Sequence, residues 1–380
     1  MPTYRQAAGK VANEINLGGE RGGGERGPKS TWEGLRGGGN QPGRGFGGFR
    51  PQVDLGQHPW DPDPLQTRLN KALRSLDGLS VGDAFGERFF GNPVEVLLRI
   101  RDRILPPGPW HFTDDTVMAL SIVDVLATHG LVETAQLARL FAKRYQMDPG
   151  RGYGGIAHEI LGKIAAGAPW ELEAARPFDG QGSMGNGGAM RAAPIGAYFA
   201  GDLAAVREAA ADSARITHAH PEGQAGAIAV AIASAWMADG GTDAADLFAT
   251  VLRHTPPGDT RSGIEQASRL DARTPSREAA SSLGNGSRVI ASDTVPFCIW
   301  SVAVNLGRYE EAMWSTVAGL GDRDTTCAIV GGILAAHPAV TVPPAWLSAR
   351  ESFAFFEPAW QAPTGGVPSA DATKTAPERK

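Results

Sequence analysis

Cysteine is scarce in this chain, which has only Cys298 and Cys327 among its 380 residues. Two cysteines are too few for a disulfide-rich scaffold, and they do not form the CxxC pair that is typical of thiolate metal sites. Each lies in an apolar run, so we expect buried, reduced thiols.

Long apolar runs are also missing. The longest nearly continuous one, residues 225–238, is too short to span a bilayer and predicts a buried core helix. The start of the chain lacks the apolar stretch of a secretory signal, so we expect a soluble cytoplasmic protein. The net charge of -5 gives no reason to expect nucleic acid or a membrane as partner.

Glycine, by contrast, is abundant and concentrated at the N-terminus. Such a polar segment cannot bury enough apolar surface to offset the entropy of ordering, so residues 1–62 are predicted to be a flexible Gly-rich extension. Its isolated apolar side chains suggest a partner-binding arm, with a solubilising tail as the alternative; they are Trp32, Leu35, Phe46 and Phe49. Residues 63–350 are predicted to form the folded domain and residues 351–380 a polar tail.

Between these ends the apolar pattern is helical. Leu65, Leu69, Leu73 and Leu76 recur at three- to four-residue spacing, and residues 117–126 are apolar nearly all round, which predicts a buried helix. Further helices are predicted at residues 204–216, 225–237, 244–252, 296–306, 309–320 and 326–336. Because we find no alternating strand pattern and no βαβ rhythm, we predict a compact, all-α, multi-helix fold.

An acid pair, Asp83 and Glu87, interrupts an apolar stretch in the company of Gly82 and Gly86. Carboxylates inside an apolar helix are costly unless something satisfies their charge, which favours a functional role. The alternative is a helix C-cap with a solvated acid.

Two other segments open apolar helices with the same residue types. Residues 113–116 read Thr-Asp-Asp-Thr and residues 322–326 read Asp-Arg-Asp-Thr-Thr. A hydroxyl and two carboxylates can simply cap a helix, but they are also hard-oxygen ligands for Mg²⁺, Mn²⁺ or Ca²⁺. Because the pattern occurs twice, we predict that the two turns meet at one site and share two metal ions roughly 3.5–4 Å apart.

A Gly-rich loop at residues 182–191 precedes another apolar stretch. Backbone amides without side chains over them can bind an anion, although the segment is neither a P-loop nor a dinucleotide fingerprint. His218 and His220, with Glu222 nearby, form a smaller polar cluster. Zinc is the weaker interpretation of this cluster, because the spacing is not HExxH and no thiolate joins it. A hydrogen bond to substrate or a helix start is the stronger one.

Taken in their order along the chain, the acid pair, the two acidic turns, the Gly-rich loop and the histidine cluster resemble the ADP-ribosylglycohydrolase family. That family includes the dinitrogenase-reductase-activating hydrolases and the vertebrate ADP-ribosylhydrolases. The close matches are residues 113–116, 186–191 and 322–325, and residues 292–296 resemble the family's segment before its last metal motif. The resemblance extends over residues 65–340. It implies a single all-α orthogonal bundle.

The resemblance also implies roles for individual residues. Two divalent ions, Mg²⁺ or Mn²⁺, are implied as cofactors, with six ligands: Thr113, Asp114, Asp115, Asp322, Asp324 and Thr325. The substrate diphosphate is implied to lie against Gly182, Ser183, Gly185, Asn186 and Gly187, with His218 near the distal ribose or the phosphates. The implied substrate is ADP-ribose on a protein side chain, and arginine is the acceptor we expect.

Two positions depart from the family's pattern. Arg323 stands where the metal triplet often has Thr, and we expect its side chain to point away from the metals. Phe90 stands where many members carry a Glu that assists the chemistry. We therefore expect the catalytic carboxylate to be Glu87, from the next helical turn, or an aspartate of the metal site, Asp115 or Asp324.

The sequence thus predicts a metal-dependent hydrolase that removes ADP-ribose from proteins, and two alternatives stay open. One is a module that only binds ADP-ribose, or that blocks an ADP-ribosyltransferase toxin through residues 1–50 in the manner of an immunity protein. The other is a two-metal phosphoesterase, which the lack of ordered histidine clusters makes the weaker prediction.

Overall fold

The computed structural model describes residues 64–361. The predicted N-terminal extension at residues 1–62 and the larger part of the predicted tail, residues 362–380, lie outside this part. Helices succeed one another throughout residues 64–361, and no β-strand occurs among them. The prediction of an all-α fold is confirmed.

The α-helices of this part are α1 (Pro64–Glu87), α2 (Pro93–Arg101), α3 (Asp114–His129), α4 (Thr134–Met147), α5 (Gly155–Ala165), α6 (Trp170–Ala175), α7 (Pro177–Gly180), α8 (Ala193–Tyr198), α9 (Leu203–Arg215), α10 (Pro221–Ala238), α11 (Ala244–His254), α12 (Asp259–Ser268), α13 (Ser276–Leu283), α14 (Ala291–Val304), α15 (Tyr309–Val317), α16 (Arg323–Ala336) and α17 (Pro344–Ala349). Short 3₁₀ turns occur at Asn186–Gly188, Phe353–Phe356 and Ala359–Gln361.

Every predicted helix is present, and the differences lie at the ends. Helix α10 begins at Pro221, before the predicted start at residue 225, because proline fits the first turn of a helix. Helix α14 begins at Ala291 and continues through Pro296, the predicted start. Apolar periodicity finds the buried part of a helix and misses the polar turn that precedes it.

Helix α10 forms the centre of the core. Its residues are buried on all sides after the first turn, as predicted for the apolar run at residues 225–238. Cys298 and Cys327 are both fully buried free thiols. Among residues 64–361, none of the helices combines the length and apolar character needed to cross a bilayer.

An aromatic cluster fixes the end of α1 near the polar site. The Phe85 ring centroid lies 4.8 Å from that of Phe89, 5.0 Å from that of Trp314 and 4.8 Å from that of Trp346. Trp110, just before α3, lies 5.8 Å from the same ring. Buried aromatic contacts of this kind add to the free energy gained from burial, and here they hold parts of α1, α15 and α17 against one another.

The packed structure continues beyond residue 350, where the sequence analysis ends the domain. Phe353 and Phe356 are buried, and their ring centroids lie 5.8 Å and 5.9 Å from that of Phe112. The guanidinium of Arg151 stacks over Phe112 and Phe356. These two buried aromatic side chains anchor the stretch after residue 350 against Phe112.

Candidate functional site

Asp83 connects the end of α1 to the Thr-Asp-Asp-Thr turn at residues 113–116 through hydrogen bonds. It is fully buried in α1, and its Oδ2 accepts hydrogen bonds from Thr113 N (2.9 Å), Thr116 N (3.1 Å) and Thr116 Oγ1 (2.6 Å). Its Oδ1 accepts from Thr113 Oγ1 at 2.9 Å. The Thr113 hydroxyl also lies 2.9 Å from Asp115 Oδ2 and has a single proton to donate, so the unshared partners of Asp83 are the Thr116 hydroxyl and the two backbone N–H groups, all at the start of α3. A solvated acid at a helix end is therefore wrong for this residue.

The start of α3 is held from two further directions. Thr113 is the N-cap residue, and its side chain accepts a hydrogen bond from Asp115 N. The backbone N–H of Asp114 donates to Arg151 O at 2.8 Å, and that of Phe112 donates to Glu351 Oε1 at 2.9 Å. Residues 113–116 are thus a helix cap and part of the candidate site at the same time, because the cap fixes the orientation of the two aspartates.

Helices α1 and α16 run antiparallel with their backbones in contact. A Cβ atom on Gly82 or on Gly86 would lie 2.2 Å from a backbone carbonyl oxygen of α16, which no side chain tolerates. Glycine at both positions is what allows this approach. It brings Asp83, on the same stretch of α1, close to Asp324 in the first turn of α16.

Three carboxylates meet at this crossing. Asp83, Asp115 and Asp324 are all 0% exposed, and one oxygen from each lies within 4.8 Å of the others. Burial, and then the charge of Asp324, raise the pKa of Asp83 from 3.8 to about 7, against the opposing effect of its threonine hydrogen bonds. Carboxylates at this spacing repel one another in a low dielectric, so a bound cation would stabilise the ionised cluster.

The donor set fits a hard divalent cation. Carboxylate and hydroxyl oxygens are the ligands that Mg²⁺ and Mn²⁺ prefer, and neither histidine nor cysteine joins the cluster in residues 64–361. Because Asp83 Oδ2 accepts hydrogen bonds from two backbone N–H groups and the Thr116 hydroxyl at the start of α3, we assign Asp83 to positioning the turn. Asp115 and Asp324 are the cluster members that would hold the cation.

The other predicted metal ligands border this cluster along the chain. Thr113, Asp114, Asp322 and Thr325 are all buried, and each lies within two residues of Asp115 or Asp324. The structure therefore brings together the two turns that the sequence analysis singled out. Their roles as ligands stay predictions.

The Gly-rich loop contacts the acidic centre through Asn186. The Nδ2 of Asn186 donates to Asp322 Oδ2 at 2.8 Å and to Thr294 Oγ1 at 3.1 Å. The backbone N–H of Asp322 donates to Asn285 O at 3.0 Å. The loop predicted to bind a diphosphate, the segment at residues 292–296 and the acidic turn at residues 322–326 are thus direct neighbours.

His218 packs against the Gly-rich loop. A Cβ on Gly187 would lie 2.6 Å from the ring carbon Cε1, and one on Gly185 would lie 2.9 Å from Nε2. Gly182 has φ +77°, a conformation that favours glycine, and Ser183 Oγ accepts a hydrogen bond from Gly185 N at 3.1 Å. The six residues predicted to contact substrate are therefore close together, and their roles stay predictions.

Glu87 lies outside the three-carboxylate cluster. It is the last residue of α1, and its side chain is exposed, so its catalytic role stays a prediction. The guanidinium carbon of Arg323 lies 4.9 Å from the centre of the Phe90 ring. The two positions that depart from the family's pattern thus contact each other.

Asp83 is the site residue whose role the sequence analysis missed. The available signal was its place between Gly82 and Gly86, with Gly78 a further turn back. Glycines four residues apart mark a helix face that touches another backbone, and an aspartate beside that face has to find buried partners.

The fold and this site define a class of protein: an all-helical protein with a buried carboxylate cluster, suited to a hard cation, beside a Gly-rich loop. Comparison with known proteins identifies the family. The ADP-ribosylglycohydrolase family model matches residues 64–362, more than half of the chain. The chain belongs to the ADP-ribosylglycohydrolase family, whose members hydrolyse ADP-ribose linkages.

Relatives and a solved structure agree. The chain is 30% identical over 321 residues to ADP-ribosylhydrolase ARH3 of Danio rerio, covering 73% of this chain and 85% of that protein. It is 29% identical to the ARH3 of Homo sapiens, covering 75% and 90%. The ADP-ribosyl-[dinitrogen reductase] glycohydrolase of Rhodospirillum rubrum is 32% identical over 40% of this chain and 52% of that protein. A structure titled ADP-ribosylglycohydrolase-related protein complex has the same fold, with a TM-score of 0.52, 22% identity and coverage of 75% of this chain and 94% of that one.

Proposed function

We propose that this protein is a divalent-metal-dependent hydrolase that releases ADP-ribose from modified protein side chains. The observation that carries the proposal is the meeting of Asp83, Asp115 and Asp324, all buried, with one oxygen of each within 4.8 Å of the others. These residues come from three helices and sit beside a loop that is suited to phosphate oxygens.

The protein's own residues have two tasks in this proposal. The Gly-rich loop and His218 hold the diphosphate and ribose part of the substrate, so that remote binding energy orients the bond to be cut. Asp83 holds the Thr113–Thr116 turn in place through its hydrogen bonds. A divalent cation bound at Asp115 and Asp324 would supply positive charge that polarises the oxygens beside it.

The bond to be cut joins the anomeric carbon of ribose to the acceptor atom. As that bond breaks, the water oxygen bonds to the anomeric carbon, one proton of the water passes to a carboxylate, and that carboxylate returns the proton to the departing acceptor, so that the water supplies both the new ribose hydroxyl and the acceptor's proton. A carboxylate in this role contributes about 10²- to 10⁴-fold in rate. Asp115, Asp324 and the exposed Glu87 are the candidates for it.

The acceptor predicted from the sequence is arginine, and one observation favours a second candidate, a neutral hydroxyl group. Arg323 lies between Asp322 and Asp324 and stacks on Phe90. Its positive charge offsets part of the negative charge of Asp322 and Asp324, which reduces the attraction that this turn would exert on a guanidinium acceptor, whereas a hydroxyl-linked acceptor does not depend on that attraction. The two acceptors need to be compared directly.

The deciding experiment treats the chelated protein with arginine-linked and serine-linked ADP-ribosylated proteins, with and without Mg²⁺ or Mn²⁺. We expect free ADP-ribose to appear only when divalent metal is present, and the Asp324→Asn variant to release none. Release of AMP or phosphate instead would favour a phosphoesterase. Tight binding of ADP-ribose without any release would favour a binding module.

A finer part of the proposal concerns residues 1–50, which lie outside the described residues. We propose that this Arg- and aromatic-bearing arm engages an ADP-ribosyltransferase toxin in the cytoplasm, so that the protein acts as an immunity factor; only the sequence supports this. Deleting residues 1–50 should abolish toxin binding and leave hydrolysis intact. A deletion that changes neither property would reduce the arm to a tail.

A further inference from the structure

The imidazole of His218 presents one ring nitrogen to the Gly-rich loop and the other to the core. Its Nε2 lies on the side of Gly185 and Gly187, where even a methyl group would clash with the ring. No hydrogen-bond partner for Nε2 is found within residues 64–361, whereas Nδ1 contacts Thr217 Oγ1 at 2.8 Å. The nitrogen facing the loop is thus the one available to a ligand.

Thr217 links His218 to a guanidinium. Its hydroxyl oxygen accepts a hydrogen bond from Arg191 Nη2 at 3.0 Å. An arginine can only donate, so the direction of this bond is certain. Thr217 is buried, and its hydroxyl has no third partner among the described residues, since its hydrogen bonds are those to Arg191 and His218.

The placement of one proton follows from these contacts. The hydroxyl proton of Thr217 is not used in the bond from Arg191, and the only acceptor within its reach among residues 64–361 is His218 Nδ1. If Nδ1 carried the ring proton instead, Thr217 would accept two hydrogen bonds and its own buried proton would have no acceptor, which is costly. Nδ1 therefore accepts, and the ring proton lies on Nε2.

Arg191 is rigid enough to enforce this arrangement. It is 0% exposed, its Nη2 also donates to Ser213 O at 2.7 Å, and its guanidinium carbon lies 4.6 Å from the centre of the Phe141 ring. Burial and the charge of Arg191 lower the pKa of His218 from 6.5 to about 3. The imidazole is therefore neutral in the ordinary pH range.

We infer that Arg191 and Thr217 are positioning residues that hold His218 as the neutral Nε2–H tautomer, which donates one hydrogen bond to an oxygen of ADP-ribose at the Gly-rich loop. The identity of this ligand rests on the proposed function, but the tautomer does not. A cationic histidine would attract any anion; a fixed N–H donor instead selects an oxygen at one position.

The test is the tautomer itself, read from long-range ¹H–¹⁵N spectra of the whole protein with labelled histidine. His218 is identified among the 8 histidines by the signal missing in His218→Gln. We expect the wild-type protein and Thr217→Ser to show a protonated Nε2 and a bare Nδ1. Thr217→Val keeps the size of the side chain but removes the hydroxyl, and should shift the ring toward a mixture with Nδ1–H.

Affinity for free ADP-ribose gives a second readout. A ring that carries its proton on Nδ1 cannot donate from Nε2 to the charged or strongly polar oxygen of the ligand. Thr217→Val should therefore weaken binding about tenfold, while Thr217→Ser stays within about twofold. A wild-type spectrum with Nδ1 protonated overturns the inference without need of any variant, as does a Thr217→Val protein with unchanged tautomer and affinity. If the wild-type protein shows the expected tautomer but binds no ADP-ribose, the proposed function fails and the tautomer assignment stands.

Discussion

Replacing Gly82 with alanine should separate the two helices that build the acidic centre. A Cβ atom at this position would lie 2.2 Å from Cys327 O and 2.7 Å from the carbonyl carbon of the same residue. Both are backbone atoms of α16, so no side-chain rotation relieves the contact. Because ordinary contact begins at 3.4 Å, the helices have to move apart by about 1 Å.

Two opposing terms set the size of the effect. Alanine in a helix interior is favoured over glycine by about 0.5–1 kcal/mol, whereas overpacking a close contact costs about 1–3 kcal/mol. The cost should exceed the gain, because Gly86 makes the same kind of close approach one turn later. A 1 Å displacement of Asp83 from Asp324 should also lower turnover by about 10²-fold.

Urea unfolding and release of ADP-ribose measure the two effects in the same protein preparations. Gly162→Ala in α5 is the matched control, because a Cβ there meets nothing within 4 Å. It should gain about 0.5–1 kcal/mol and keep full activity. The reasoning is refuted if Gly82→Ala proves as stable and as active as Gly162→Ala.

Three further predictions follow from the buried charges. Asp115→Asn should raise the melting temperature of the metal-free protein, because it removes a repelling charge, while abolishing turnover with metal present; full activity would contradict this. Asp83→Ala leaves the buried Thr116 hydroxyl and the backbone N–H groups of Thr113 and Thr116 without their acceptor and should cost about 2–5 kcal/mol in urea unfolding, and a loss under 1 kcal/mol would speak against its positioning role. The pKa of His218 falls from 6.5 to about 3 on folding, so the folded state binds fewer protons than the unfolded chain in this window and stability declines as the pH drops through it. His218→Gln should flatten that decline by up to about 1.4 kcal/mol per pH unit, and equal slopes for the two proteins would exclude a buried neutral histidine.

Helix content could be predicted because it depends on local pattern. The leucines at the start of α1 and the apolar residues of α3 recur at the helical period, and the structure has helices at both places. The starts of α10 and α14 were placed too late, since their first turns carry polar residues and proline. A polar first turn breaks the apolar period without breaking the helix.

Contacts between distant parts of the chain were harder to predict. Residues 113–116 and 322–326 share the same residue types, two carboxylates and a hydroxyl before an apolar helix. This repetition was enough to predict that the two turns meet. Nothing in those residue types showed that Asp83 would accept hydrogen bonds from Thr113 and Thr116. Such a role depends on the geometry of the helix crossing, which the spacing of glycines only hints at.

The glycines of the Gly-rich loop also have a role that only the structure reveals. Its glycines were predicted to leave backbone amides open to an anion, whereas the structure adds a steric reason: the His218 ring occupies the space that side chains at positions 185 and 187 would fill. The hydrogen bonds that link Arg191 to Thr217 and Thr217 to His218 could not be predicted, because only the folded chain brings Arg191 next to Thr217.

A double-mutant cycle on Mn²⁺ affinity tests most directly the proposal that acidic residues from the starts of α3 and α16 hold divalent cations jointly. Titrations of the whole protein would compare Asp115→Asn, Asp324→Asn and the combination. If the two aspartates share a cation, the losses are strongly non-additive and the double variant binds hardly more weakly than either single one. Fully additive losses, or Mn²⁺ affinity that survives both substitutions, would contradict the shared metal centre.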